Sequence, residues 1–487
     1  MRARKKKPQA KSIVLLVAVL LVGCSVDDTE IVGACVPDGD AVRLPGQESA
    51  ICPQPGLLGG DLLLASISSA MPAMAATWYS PDLEPASATF ALGPQLGCGY
   101  RTVWTQDGDA LLGQALVGTD AMGRPQSRLE DMLRIVRIDQ RSDPTLVPVT
   151  LPVSAVTSDC PECSHIAYEG ALLTGGVGAR MPALRLADHG VLGTLGVPVA
   201  CGSDYFNYDE PVLFDTTQTR LARTRSVLCS ATALHDYPNN LALVRGAGGM
   251  IGMLFRQGEC STCGNVHYVL TDEAGNTMLP PVQVGPVVDP VEADVGWDLH
   301  GVTLGDPGGV LYRERTNGDV GYLTCYRMRT FHGDGRDATD TPFQIGCFRQ
   351  QDHFVTRSMD LVELSSGDAV VIWGERTAYG GTANLEQTIT SSTPWSEGIF
   401  MAMVTPSGRR GSDIVRVTPP GATMIGGAPR TASTGPFPQD FAVRATSEGD
   451  HVVVTWTDTR PDAPGIYARS YHCRRSGADA GAVDAGL

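Results

Sequence analysis

The chain has 487 residues, with 37 basic against 53 acidic side chains for a formal net charge of −16, and only 18% charged residues beside 56 Gly, 33 Pro and 13 Cys. That length exceeds one small core and allows one large domain or two to three ordinary ones. The acidic balance excludes a nucleic-acid partner, which needs a basic face to neutralise phosphates, and with all four lysines (Lys5, Lys6, Lys7, Lys11) in the first eleven residues, Schiff-base chemistry and lysine-dependent phosphate loops are excluded too.

Residues 1–23 read as an export signal. Met1 to Lys11 form a basic n-region with Arg2, Arg4 and the four lysines, and Ile13 to Val22 are ten apolar residues without exception. Ten residues rising 1.5 Å each are too few to cross a hydrocarbon core of about 30 Å. The run ends in Leu21-Val22-Gly23-Cys24, which resembles the lipobox of bacterial lipoproteins. The resemblance implies that Cys24 becomes the first mature residue, with a diacylglycerol thioether on its sulfur and a third acyl chain on its amine. Several chains at about 0.8 kcal/mol per buried methylene make a stable membrane anchor. In the best-known Gram-negative lipoproteins an Asp after the lipidated cysteine retains the protein in the inner membrane. Here Ser25 stands in that place, so the expected location is the outer membrane, facing periplasm or cell surface. Loss of residues 1–23 removes six basic residues and no acidic one, leaving 31 basic against 53 acidic groups, a net of −22. No later stretch approaches eighteen uninterrupted apolar residues, so the lipid is the only expected membrane attachment.

Residues 24–60, with Asp27, Asp28, Pro37, Pro45, Pro53 and Pro55, read as a tether carrying one disulfide loop. Twelve cysteines follow Cys24: Cys35, Cys52, Cys98, Cys160, Cys163, Cys201, Cys229, Cys260, Cys263, Cys325, Cys347 and Cys473. An even count in an exported chain favours disulfides. Sequence does not fix connectivity, but local pairs close at least entropic cost. The expected set is 35–52, 160–163, 201–229, 260–263 and 325–347, with Cys98 and Cys473 left to clip the start of the domain to its end. Cys160-Pro-Glu-Cys163 and Cys260-Ser-Thr-Cys263 have zinc-knuckle spacing. The oxidising compartment and the hundred residues between them favour small structural disulfides over a zinc site or a redox-active dithiol. Ser164 and Gly264 follow the two motifs where a c-type haem site requires His.

The two motifs also reveal a repeat. Asp159-Cys-Pro-Glu-Cys-Ser-His-Ile-Ala-Tyr168 aligns with Glu259-Cys-Ser-Thr-Cys-Gly-Asn-Val-His-Tyr268. Further on, Gly308-Gly-Val-Leu-Tyr-Arg-Glu-Arg315, Gly367-Asp-Ala-Val-Val-Ile-Trp-Gly-Glu-Arg376 and Gly449-Asp-His-Val-Val-Val-Thr-Trp-Thr-Asp-Thr-Arg460 each join a Gly-led turn to an apolar strand, then an acid near an arginine. Each has a second strand after it: Tyr322 to Arg329, Gly398 to Val404, and Gly465 to Tyr471. Gly249 to Phe255 with Val266 to Thr271 is an earlier member. Short strands, Gly, Pro and Asp turns and little helical periodicity predict an all-β protein, and a recurring multi-strand unit predicts a β-propeller. The last unit, Trp456-Thr-Asp-Thr-Arg460 followed by Gly465-Ile-Tyr-Ala-Arg469, resembles blades of the sialidase-like and TolB-like propellers of exported bacterial proteins. That resemblance is good over 449–471, partial over two or three earlier units, and absent before about residue 150. Dividing roughly 385 residues by about 55–65 per unit predicts six or seven blades within a domain at 61–475. Paired β-sandwiches are the alternative. Residues 476–487 hold too little apolar bulk to pack and read as a disordered tail.

Catalytic motifs are few. There is no GxSxG, HExxH or P-loop, and the glycine clusters Gly175–Arg180 and Gly246–Gly249 lack dinucleotide spacing and read as turns. The nine histidines stand singly, without ligand spacing. Asp334, Asp337 and Asp340 lie in a loop that has the carboxylates for calcium but not the EF-hand order, and a solvated turn is the favoured reading. The acid and arginine pairs Glu314 with Arg315, Glu375 with Arg376 and Asp458 with Arg460 invite comparison with glycosidases, which need paired carboxylates. Their recurrence at the same strand end instead predicts a blade-stabilising role, and the Asp-box Ser-x-Asp-x-Gly-x-x-x-Trp of sialidases is missing. The expected function is a non-catalytic lipoprotein scaffold for a protein or polysaccharide partner. The alternative is a surface or periplasmic glycosidase or lyase with its residues in the central funnel.

Overall fold

Leu62-Leu63-Leu64-Ala65 and Val452-Val453-Val454 are apolar runs that do not alternate with polar residues, the pattern of strands buried on both faces. The computed structural model describes backbone and side chains for residues 31–67, 74–92, 244, 250–254, 266–272, 278–284, 328–332, 360–373, 398–419, 443–458 and 462–476, and backbone alone for the rest of the strands named below.

In chain order, β1 (Gly33–Pro37) and β2 (Val42–Arg43) precede a four-stranded meander of β3 (Ala50–Leu58), β4 (Asp61–Ser68), β5 (Ala73–Tyr79) and β6 (Phe90–Pro94). A second sheet holds β7 (Thr102–Trp104), β8 (Ala110–Ala115), β11 (Met132–Ile138) and β12 (Leu146–Pro152), interrupted by a ribbon of β9 (Gly118–Thr119) and β10 (Pro125–Gln126). The third runs through β13 (Cys163–His165), β15 (Gly190–Cys201), β16 (Asp204–Asp215) and β17 (Arg220–Thr224), with β14 (Leu184–Arg185) also on β15. The fourth is β18 (Asn239–Arg245), β19 (Ile251–Gln257), β20 (Asn265–Thr271) and β21 (Thr277–Gly285). The fifth is β22 (His300–Thr303), β23 (Gly308–Gly318), β24 (Gly321–Phe331) and β25 (Phe343–Gln350). The sixth is β26 (Met359–Glu363), β27 (Ala369–Glu375), β28 (Gly398–Val404) and β29 (Val415–Arg416). The last contains β30 (Val443–Glu448), β31 (His451–Asp458) and β32 (Gly465–Arg475), and its outermost strand is β1.

All the paired strands run antiparallel, and the sheets are joined edgewise in a cycle: β3 neighbours β7, β7 neighbours β14, β14 neighbours β18, and the series continues through β22, β26 and β30 back to β3. This is a seven-bladed β-propeller, within the expected range of six or seven, and it replaces the alternative of two stacked sandwich sheets. Burial on both blade faces explains the unbroken apolar runs. Val452 and Val454 pack with Val362, Ile372, Met401 and Val443 between the sixth and seventh blades, whereas Val453 between them in sequence packs with Leu57, Leu62, Leu64 and Tyr79 of the first blade. Leu63 and Ala65 turn to the other face of β4, against Met74, Ala76 and Trp78.

Residues 33–58, expected within a tether, are folded. β1 pairs with β32 from Gly33 opposite Arg475 to Pro37 opposite Tyr471, β2 pairs with the same strand, and β3 is the inner strand of the first blade. Proline content misled here: Pro37 ends β1, and Pro53 and Pro55 lie beside the register shift between Ile51 and Gln54, where one strand bulges against its partner. The expected pairs 35–52 and 98–473 are replaced by a Cys35–Cys473 disulfide, formed because β1 brings Cys35 directly opposite Cys473. Cys52 is bonded as well, to a cysteine outside the described residues.

Candidate functional site

The Gly-led turns recognised in the sequence join the first and second strands of successive blades. Gly367 and Gly449 hold φ of 78° and 67° there, a region that suits glycine. Gly59 and Gly60, at 59° and 82°, make the same turn in the first blade. The full motif is a Gly-Asp dipeptide before an apolar strand, at Gly60-Asp61, Gly367-Asp368 and Gly449-Asp450. Its first copy, Gly60-Asp61, straddles the end of the segment expected to be a tether.

These turns form an interlocked rim. Both carboxylate oxygens of Glu448 accept from the first blade, Oε1 from the Gly59 N–H at 2.8 Å and Oε2 from the Gly60 N–H at 2.9 Å. Towards the sixth blade, the Ser447 hydroxyl donates to the Glu363 carbonyl at 2.6 Å, and the Ser365 N–H donates to the Gly449 carbonyl at 2.9 Å. Asp368, fully buried, accepts from both sides of the Arg475 guanidinium, at 2.8 Å from Nε and 2.7 Å from the terminal nitrogen, and also from the Ser366 hydroxyl at 2.7 Å. Deeper in the ring, Asp360 is fully buried. It takes the Leu361 N–H on Oδ1 at 2.9 Å and, on Oδ2, the Ala445 N–H of the next blade's inner strand at 2.8 Å. A buried carboxylate held by N–H donors from two blades keeps its charge solvated by protein dipoles and fixes the angle between the blades.

At the outer part of the seventh blade, the structure pairs two histidines that the sequence shows 21 residues apart. His451 and His472 are opposite one another on β31 and β32, with ring centroids 5.3 Å apart and planes inclined by 26°. Nε2 of His472 is 3.6 Å from Asp38 and its Nδ1 3.7 Å from Asp450. Burial and then the neighbouring His472 lower the pKa of His451 below its ordinary value. Burial works to raise Asp450, but the bonded Arg474 and nearby His472 outweigh it and hold the carboxyl below the usual range. The Tyr471 hydroxyl is pushed up to about 12 by burial, with Arg469 opposing. That arginine, its guanidinium 5.5 Å from the Tyr471 ring centroid, also donates to the carbonyls of Gly39 and Val417, so it ties the entry of the chain to the sixth and seventh blades.

Among the sequence-derived candidates, Asp458 is buried at the end of β31 opposite Gly465, and Glu375 occupies the same position at the end of β27 opposite Gly398. Glu314 does not share it, since it lies opposite Cys325 within longer strands. Gly465 is forced by a φ of 140° and by the Gln47 carbonyl, which stands 2.8 Å from where a Cβ would be. Cys24, Arg376, Arg460, Asp334, Asp337 and Asp340 lie outside the described residues. So do the side chains of Glu314, Arg315, Glu375, Cys98, Cys160, Cys163, Cys201, Cys229, Cys260, Cys263, Cys325 and Cys347. Among the described residues no three His, Cys, Asp or Glu side chains gather to hold a metal, and no helix is long and apolar enough to cross a membrane.

No family model matches the chain, and no curated protein matches it. Among solved structures, it is similar to a protein of unknown function from Dyadobacter fermentans, at 12% identity and a TM-score of 0.43, covering 77% of this chain and 93% of that one. A PL25 ulvan lyase, a polysaccharide lyase, aligns at 7% identity and a TM-score of 0.47 over 88% of this chain and 95% of its own. A thermostable family-43 glycoside hydrolase aligns at 9% and 0.27, over 65% and 98%. At these identities and TM-scores the likenesses assign no activity to this chain.

Proposed function

We propose that the protein is a lipoprotein, acylated at Cys24 after removal of residues 1–23, whose propeller serves at the outer membrane as a non-catalytic scaffold for a protein or polysaccharide partner. The observation that carries the scaffold reading is the use of the described carboxylates. Of the three on described inner strands, Asp360 and Glu448 are occupied by backbone N–H groups of the neighbouring blade. A glycosidase acid or base needs a carboxyl facing substrate, with its partner roughly 5–9.5 Å away. Asp360 and Glu448 instead tie blade to blade, which leaves the loops between blades as the variable surface for recognition.

The anchor is tested by mass spectrometry of the N-terminal peptide from membrane-purified protein. A lipidated Cys24 supports it, whereas a free Cys24 amine, or an uncleaved Met1 start, overturns it. The scaffold reading is tested by presenting the mature chain in detergent to arrays of glycans, cell-wall fragments and envelope proteins, while assaying reducing ends and the absorbance of a lyase's new double bond in the same wells. Binding without turnover is the expected result. Turnover of any bound glycan would replace the scaffold with the glycosidase or lyase alternative.

A further inference from the structure

The described disulfide shows how this chain places its cysteines. Cys35 on β1 and Cys473 on β32 are directly opposite in the strand register, with Cα atoms 4.0 Å apart, and they are bonded. Two other cysteine pairs occupy directly opposite positions on adjacent antiparallel strands: Cys325 on β24 faces Cys347 on β25, and Cys163 on β13 faces Cys201 on β15. Facing residues in antiparallel strands have Cα atoms about 4.5–5.5 Å apart, inside the span of about 4.4–6.8 Å that a disulfide bridges without moving the backbone. The fifth-blade pair joins the third strand to the outermost strand, as Cys473 and Cys35 do in the seventh.

We infer that Cys163–Cys201 and Cys325–Cys347 are cross-strand disulfides, so that the third and fifth blades are stapled by register as the seventh is. The first of these displaces two local pairs that chain proximity suggests, Cys160 with Cys163 and Cys201 with Cys229. The sheet sets the choice: β13 is only three residues long, and its pairing with β15 begins at the cysteines themselves, Cys163 opposite Cys201, then Ser164 opposite Ala200 and His165 opposite Val199. A three-residue strand has few ladder hydrogen bonds to hold it, and a covalent link at its first residue fixes both its register and its place in the ring. In each bond two thiols lose two protons and two electrons and gain one S–S bond. The electrons reduce the disulfide of a thiol–disulfide exchange protein, which leaves as a dithiol. Oxidation in the cell rests on the export proposed above; the pairing rests on the sheet register alone.

Peptide mapping without reduction, on mature protein purified from membranes with free thiols blocked at lysis, reads the pairing directly. Linked peptides containing Cys163 with Cys201 and Cys325 with Cys347 are expected beside Cys35 with Cys473, each pair separating on reduction. Cys160 shares a tryptic peptide with Cys163, so fragment ions that break the chain between them place the link. In Cys160→Ser the link to Cys201 must persist. Cys163 bonded to Cys160, Cys201 bonded to Cys160 or Cys229, or Cys163 or Cys201 blocked as a free thiol in protein that carries the Cys35–Cys473 bond, overturns the inference. If every cysteine of the cellular protein is free, export has failed rather than the register. The same mapping on full-length chain oxidised with a glutathione redox pair then decides the pairing.

Discussion

Replacing both Cys35 and Cys473 by alanine opens the one covalent link between the first and last strands of the ring, and the size of the effect follows from the length of chain it encloses. The two cysteines are 438 residues apart. The loop-closure relation for a denatured chain of that length gives about 6 kcal/mol at 25 °C, and about 4.7 kcal/mol if other cross-links shorten the free loop to about 100 residues. A loss of about 5 kcal/mol is therefore expected. Spread over the unfolding entropy of the region from Gly33 to Arg475, at about 2.1 cal/mol/K per residue, it lowers the melting temperature by about 5 °C. Calorimetry at one fixed scan rate, on mature wild-type and doubly substituted protein, reads this shift. The folded ring keeps β1 in place through its register with β32, so β-sheet circular dichroism at 20 °C should not change. A melting temperature within 1 °C of wild type would refute the reasoning, because it would mean that the denatured chain gains nothing from release of its ends.

Asp360→Ala leaves the Ala445 N–H without an acceptor inside the ring and should cost about 3 kcal/mol in urea unfolding, whereas Asp360→Asn, which keeps one acceptor oxygen, should cost less than half of that. Arg475→Ala strips the fully buried Asp368 carboxylate of its guanidinium. Since the arginine is partly exposed, a loss of about 2–3 kcal/mol is expected by the same measurement, and Arg475→Lys should recover only part of it because a point charge cannot make both hydrogen bonds. The folded-state pKa of His451 lies below its ordinary 6.5, so between the two values the unfolded chain binds a proton that the folded chain refuses, and stability must fall as pH falls through that window. Asp38, Glu448 and Asp450 oppose the effect of burial and His472 without cancelling it. His451→Gln should therefore lose less of its urea midpoint than wild type between pH 7.5 and pH 5, and an equal or larger loss would contradict the assigned cause.

The all-β class and the propeller were legible because a blade packed on both faces needs strands without polar alternation, and Val370-Val-Ile-Trp373 and Val452-Val-Val454 carry that signal in a few residues. The Gly-led turns were legible for a related reason: a positive φ at Gly367 and Gly449 restricts the residue type locally. What stayed hidden depends on distant residues. Nothing near Cys35 indicates that its strand is completed by residues 471–475, and local loop-closure cost argued for Cys52 instead. The prolines of β3 suggested a tether because a bulge tolerates them as well as a linker does. Single histidines stay single until strand register places His451 beside His472. Of the candidate site, sequence periodicity indicated the shared strand-end position of Asp458 and Glu375, yet it could not reveal Asp360 or Glu448, which take N–H groups from another blade that leave no mark on their own neighbourhood.

Completion of the seventh blade by β1 sets an order of events during biogenesis. The N-terminal strand is synthesised first but has no partner until β32 has followed it, so the last step of folding is also among the most non-local contacts in the chain. Until then Leu57, Leu62, Leu64 and Tyr79 of the first blade lack the cover that Val453, Ile466 and Ala468 give them. The waiting intermediate is an open ring with an unpaired strand at one end and an apolar blade face beside it, which is the kind of surface on which chains aggregate or swap domains. Folding yield should accordingly depend on how fast the C-terminal blade arrives, and a chain cut short before Gly465 cannot close its ring at all.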